Sequence, residues 1–214
     1  MRRSRMRSIT IPPSLWAGFV LQWSEETGFP EQWTHFKTDK PLVIECCCGK
    51  AEFLVEEAKK YPQKQFVGID YAEPVLQRAV KRIYESGLQN IRLFLNDIGD
   101  IFTHLADSID LERIYINFPD PWPKKRHWNR RIINGDTLRK IHSRMSIDTE
   151  LIMVTDHDGY AEWIEACLNS LDFFTPIGDT WYSDDMPEFH DSTYMNKARE
   201  WGHRFYFFRV KRSD

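Results

Sequence analysis

The sequence predicts an α/β fold built on a mostly parallel central sheet, with helices on both faces and an antiparallel strand near the C-terminus. Three observations carry this. From residue 41 onward, short apolar runs alternate with stretches of helical periodicity. The helical stretches are long enough, at roughly 10–15 residues, to serve as right-handed crossovers between parallel strands. The last apolar run, Arg204-Phe205-Tyr206-Phe207-Phe208-Arg209-Val210, is a further strand that pairs antiparallel at one side.

Pro41-Leu42-Val43-Ile44-Glu45-Cys46 suits a first, buried strand. A helix over Glu52–Lys60 follows, with Phe53, Leu54 and Ala58 on one face and a stop at Tyr61-Pro62. Gln65–Asp70 reads as the second strand. Pro74 opens the next helix, whose stripe of Val75, Leu76, Ala79, Val80 and Ile83 ends before Gly87. Ile91–Leu95 and Arg113–Phe118 make the third and fourth strands. A helix over Gly135–Met145, a fifth strand at Glu150–Thr155 and a helix over Gly159–Leu171 complete the alternation. Residues 1–40 read as an appended basic arm and helix, and residues 41–214 as one domain.

A chain of 214 residues, 42% hydrophobic, can bury one substantial core. Its net charge of −3 does not announce a nucleic-acid partner. The basic charge is nevertheless focused, in Arg2, Arg3, Arg5 and Arg7 and again in Lys124, Lys125, Arg126, Arg130 and Arg131, and local focusing is what phosphate contact requires. Cys46, Cys47 and Cys48 are consecutive, so strand geometry turns them to opposite faces, and they converge on no metal. With Cys167 they fit small thiols in a reducing cytoplasm. No apolar run approaches the ~20 residues that span a membrane. The Arg-rich start has no acid before Glu25 and so resembles a transit peptide faintly, but it lacks a secretory cleavage pattern and reads as an arm of the mature protein.

In open parallel sheets, ligands bind beyond the carboxyl ends of strands near the switch in strand order. The first turn there is Glu45-Cys46-Cys47-Cys48-Gly49-Lys50-Ala51, whose single glycine, Gly49, cannot build a pyrophosphate loop. Asp70 and Asp97 follow the second and third strands. Carboxylates around a small-residue turn suit a ligand with a ribose and cationic groups but no phosphate, a description that fits S-adenosylmethionine. Strand-end acids are also common in α/β folds simply because strands end at the surface.

The fourth strand runs into Asn117-Phe118-Pro119-Asp120-Pro121-Trp122-Pro123-Lys124-Lys125-Arg126-His127. Pro119, Pro121 and Pro123 stiffen the loop and present Asp120 at a fixed position. Trp122 offers a face on which a base can stack, and the cations beyond it can hold phosphates. A carboxylate, an aromatic ring and a basic cluster together describe a site for a nucleobase carried on a nucleic acid.

This loop resembles the signature of the tRNA (guanine-N7)-methyltransferase family, and the similarity covers about residues 41 to 210. The resemblance implies a Rossmann-like class I methyltransferase fold, S-adenosylmethionine as methyl donor and a guanine in the tRNA variable loop as acceptor. It assigns Glu45, Asp70, Asp97 and Asp120 to the cofactor, and Asp120 also to catalysis; Gly49 of the first turn is placed with them. Lys124 and Asp156 fall to the substrate, as do Ser192, Tyr194 and Met195 of Ser192-Thr193-Tyr194-Met195-Asn196-Lys197, while the charge of Arg126, Arg130 and Arg131 suits them to hold the tRNA backbone beside Lys124. No metal is implied, and monomer and homodimer both stay open. Five positions depart from the family pattern. Cys47 and Ala51 stand where glycines are expected, Asp70 where a longer Glu is usual, Met195 where a substrate-binding glutamate is usual, and Ser192 where a threonine is usual. If position 47 needs a positive φ, cysteine there costs of order 1 kcal/mol. Two other readings share the fold: methylation of an exocyclic base amine, and a non-catalytic tRNA-binding module.

Overall fold

The computed structural model describes residues 9–21, 40–105, 109–190 and 192–213, so the arginines of the N-terminal arm lie outside the described residues. The sheet is built from β1 (Val20–Leu21), β2 (Leu42–Cys46), β3 (Gln65–Asp70), β4 (Ile91–Leu95), β5 (Leu111–Asn117), β6 (Glu150–Thr155), β7 (Phe174–Pro176), β8 (Tyr182–Ser183) and β9 (Tyr206–Arg212). Their order is β1-β4-β3-β2-β5-β6-β9-β7, with β8 also pairing β9. Strands β1 to β6 run parallel, and β9 is antiparallel to β6, β7 and β8. The expected mostly parallel sheet with an antiparallel C-terminal strand is therefore present, and the short β7 adds to the outer side of β9. Strands β7 and β8 are too short for alternation to be read from sequence.

Each strand alternates between two cores. Ile44, Cys46, Val67, Ile69 and Phe94 point to one face and Val43, Phe66, Leu93 and Tyr115 to the other. The second face is covered by α1 (Pro13–Phe19), α2 (Glu52–Lys60), α3 (Glu73–Ser86) and α7 (Thr193–Glu200), through Phe19, Phe53, Leu54, Leu76, Val80, Ile83 and Met195. The first is covered by α4 (Ile98–His104), α5 (Gly135–His142) and α6 (Asp158–Asn169), through Ile101, Phe102, Leu138, Ile141, Tyr160 and Ile164. Burial on both faces is why the strands read as continuous apolar runs.

The segment before residue 40 is more than an addition. Val20 and Leu21 pair in parallel with Leu93 and Phe94 at the sheet edge, and Phe19, Val20 and Leu21 are buried.

Strand order reverses between β2 and its two neighbours, β3 and β5, so the carboxyl ends of β2 and β5 open a crevice. Packing against its floor is tight at Gly68, where a Cβ would come within 2.8 Å of both Cys48 Sγ and Leu93 Cδ2.

Candidate active site

Glu45 is the penultimate residue of β2 and is 3% exposed at this crevice. Asn117, the last residue of β5, donates its side-chain N–H to Glu45 Oε1 at 3.0 Å and so bridges the switch point. Glu45 Oε2 is buried and completes no hydrogen bond among the described residues. Burial pushes this carboxyl up to about 8, against the smaller opposing pull of the Asn117 amide. A buried carboxyl left with an orphaned oxygen is a site for a donor or a cation.

The turn after β2 is held in an unusual conformation. Cys47, Gly49 and Ala51 have φ of 58°, 54° and 55°, all left-handed. The two departures from glycine therefore fall on positions where the backbone does demand a positive φ. Both substitutes are small, and the turn is tied down: Cys48 N–H donates to Ile69 O at 3.1 Å and Ala51 N–H to Cys48 O at 2.8 Å. Asp70 at the end of β3 accepts from Gly49 N–H at 3.0 Å with Oδ2 and from Ala72 N–H at 2.9 Å with Oδ1. The shorter acid thus spends part of its accepting capacity on fixing the turn, and burial is the main cause raising its pKa. Asp97 caps α4 by accepting from Gly99 N–H at 2.7 Å and is exposed beyond β4.

An open cleft of about 280 Å³ lies here, lined by Glu45, Cys47, Gly49, Asn117, Phe118 and Ser192 among others. Ser192 Oγ caps α7 by accepting from Met195 N–H at 3.3 Å. A second cleft of about 470 Å³ is lined by Phe118, Pro119, Asp120, Pro121, Asp156, His157, Tyr194 and His203. Phe118 borders both, and its φ of 49° turns the chain sharply out of β5. Its ring packs edge-on against Tyr194 and Phe205, with centroids 5.1 and 5.9 Å away. The two clefts adjoin at this one side chain, and Asp120, exposed on the proline loop, stands in the second.

Two of the expected substrate residues are buried. Arg131, expected among the phosphate-binding cations, is 3% exposed. Its guanidinium lies 4.7, 4.9 and 5.1 Å from the ring centres of Trp128, Trp163 and Tyr160, and its Nε donates to Pro121 O at 2.9 Å. Weak hydration and a planar cation let Arg sit among aromatic faces where Lys could not. Arg131 therefore clamps the proline loop from beneath. Met195 is fully buried in the core under α7, an apolar side chain that cannot replace a glutamate at the surface.

Lys124, Arg126 and Arg130 are exposed, on and just before a 3-10 turn at Lys125–Arg130. Trp122 is half-buried, with φ of 41°, and the Arg130 guanidinium lies 5.0 Å from its ring centre. Of the residues lining the second cleft, His157 and His203 were not read from sequence. His203 stands 47 positions after Asp156, in no motif, and only the fold brings the two together.

Comparison with known proteins agrees with this architecture. A family model described as "Putative methyltransferase" matches residues 39–208. A tRNA (guanine-N(7)-)-methyltransferase of Staphylococcus carnosus is 30% identical over 185 residues, spanning 86% of each chain. One of Geobacillus thermodenitrificans is 37% identical over 138 residues, and there the match spans 64% of this chain and 63% of that protein. The chain belongs to the tRNA (guanine-N7)-methyltransferase family. Among solved structures, an antibiotic-related methyltransferase superposes with a TM-score of 0.60 over 90% of this chain and 96% of that one, at 19% identity. An rRNA methylase of Streptococcus thermophilus gives 0.55 over 82% and 89%, at 14% identity. At such identities the likeness speaks for the class I methyltransferase fold alone. No helix of the described residues is long and apolar enough to cross a membrane, and no cluster of metal-ligating side chains occurs among them.

Proposed function

We propose that this chain transfers a methyl group from S-adenosylmethionine to N7 of a guanine in tRNA. The observation that carries the reading is the pair of clefts adjoining at Phe118, one built around the orphaned oxygen of Glu45 and the other around Asp120 and Asp156. The first cleft, lined by Glu45, fits the cofactor, and Asp70 and Asp97 are further acceptors at the neighbouring strand ends, the three suited to an ammonium, a ribose and the amino edge of an adenine. Gly49 and Ser192 line or border its entrance. When bound, S-adenosylmethionine supplies an electrophilic methyl group on a positively charged sulfur.

Guanine N7 carries a lone pair and no proton, so the reaction asks no general base of the protein. The work left to the side chains is positioning and electrostatics. Asp120, in the second cleft, stabilises positive charge as it passes to the imidazole ring of the base. Asp156 accepts from the guanine N1 and N2 donors. Arg131, through Pro121, keeps the loop in place while Asp120 does this. Lys124, Arg126 and Arg130 hold the RNA backbone outside, and Trp122 supports an adjoining base.

Methyl transfer from labelled S-adenosylmethionine to unmodified tRNA, with the product base mapped by its alkaline lability, tests the reading. N7-methylguanosine is expected from the wild type, and loss of at least a hundredfold in rate from Asp120→Ala. An Asp120→Ala protein of full activity removes the assignment. A wild type that binds no S-adenosylmethionine by calorimetry removes the enzyme reading itself.

A further inference from the structure

Asp156 follows the last residue of β6, and its side chain is 16% exposed on the wall of the second cleft. Two donors from different parts of the chain meet on one of its oxygens. The Tyr194 hydroxyl, from α7, donates to Oδ2 at 2.5 Å, and His203 Nδ1, from the turn before β9, lies 2.7 Å from the same atom. No hydrogen bond among the described residues uses Oδ1. Two directional contacts on one oxygen fix the rotation of the carboxylate about its last bond and leave the other oxygen for a ligand in the cleft.

The two donors are themselves held. Tyr194 packs on Phe118, the residue that borders both clefts. Burial first, and then the bond to Asp156, push the Tyr194 phenol well above its ordinary range, so it remains a donor. His203 has the ring of Trp201 at 6.0 Å, and Trp201 is 57% exposed beside it. His157 and Asp120 are the other titratable groups lining the cleft.

We infer that His203 is a positioning residue for guanine recognition: with Tyr194 it clamps Asp156 Oδ2, so that Oδ1 meets the N1 and N2 donors that distinguish guanine from bases lacking them. The inference rests on the proposed guanine-N7 reading and adds to it the device that sets base specificity. A site built to accept hydrogen bonds discriminates against analogues without the donor only while the acceptor is fixed. Loss of His203 therefore relaxes the choice of base and weakens RNA binding, and leaves the cofactor cleft alone.

The test uses two RNAs, with guanosine or inosine at the methylated position, since inosine lacks the N2 amine. kcat and KM are measured for each, together with the S-adenosylmethionine Kd. For the wild type, guanosine is preferred. For His203→Phe, KM for the guanosine RNA is expected to rise about tenfold, the preference to fall toward one and the cofactor Kd to stay within about twofold. His203→Gln, which keeps a donor, restores most of the preference. Should His203→Phe fail to fold, Tyr194→Phe makes the same comparison from the other side of the carboxylate. A wild-type preference retained in the variants overturns the clamp, as does a folded His203→Gln that restores nothing. A wild type that makes no N7-methylguanosine overturns the underlying reading instead, so the two failures are distinct.

Discussion

Glu45 shows how one residue can record the charge of a missing partner. A carboxyl buried beside Asn117, with one oxygen unbonded, is held up at about 8 against an ordinary 4.5. Between those values the folded protein keeps a proton that the unfolded chain has lost, so this group's contribution to stability falls as pH rises through the window. A cationic ligand reverses the preference and expels the proton. At pH 7, S-adenosylmethionine binding to the wild type is expected to release most of one proton more than binding to Glu45→Gln, and wild-type affinity to climb with pH until about 8. Calorimetry in buffers of different ionisation enthalpy reads the difference, and equal release from both proteins would contradict it. Arg131 makes the opposite point about reading single residues. Its place in a basic run suggests phosphate, but three aromatic rings and the Pro121 carbonyl claim it.

At the scale of the element, the turn between β2 and α2 decides whether the departures from glycine weaken the cofactor site. A left-handed alanine costs roughly 1–2 kcal/mol in backbone energy. Against that, the Ala51 methyl is fully buried, which is worth about 0.8 kcal/mol, and glycine would add conformational entropy to the unfolded chain of about 0.5–1 kcal/mol. The terms offset, so alanine is tolerated here and the turn keeps its shape. Ala51→Gly is accordingly expected to leave the unfolding free energy within about 0.5 kcal/mol of wild type. Denaturant titration measures this, and a gain of 2 kcal/mol or more, roughly, would mean that the backbone strain prevails. Left-handed non-glycine residues fall in two loops only among the described residues: Cys47 and Ala51 in the first turn, Phe118 and Trp122 after β5. Both loops line the clefts, where strained backbone is held by its surroundings.

At the scale of the molecule, an acidic balance and a polyanionic substrate are reconciled by segregation. The net charge is −3, but Lys124, Arg126 and Arg130 stand exposed on one loop beside the second cleft, while the carboxylates line its interior. Their separation lets the RNA backbone be held outside while a base enters. Binding of tRNA is expected to weaken linearly with the logarithm of salt, and Lys124→Ala to reduce that slope by about one without changing the preference for guanine. Fluorescence titrations of wild type and variant over a series of salt concentrations provide the check. An unchanged slope would place Lys124 off the RNA path.

The sequence by itself determined the parallel strands, because their apolar runs are buried on both faces and carry the pattern locally: β2, β3, β4 and β6 lie within a residue of where periodicity puts them. The proline loop was legible too, because Pro119, Asp120, Pro121, Trp122 and Pro123 are contiguous. Strands of two or three residues carry no period, so β1, β7 and β8 became visible only through their pairing with β4 and β9. Whether a charged or polar residue faces solvent or core is likewise settled by neighbours far away in the chain. The burial of Arg131 and Met195, and the meeting of His203 with Asp156, thus rest on contacts that the sequence does not contain. Tertiary structure decided these because a side chain's chemistry is fixed by its residue type, whereas its partners are fixed by packing.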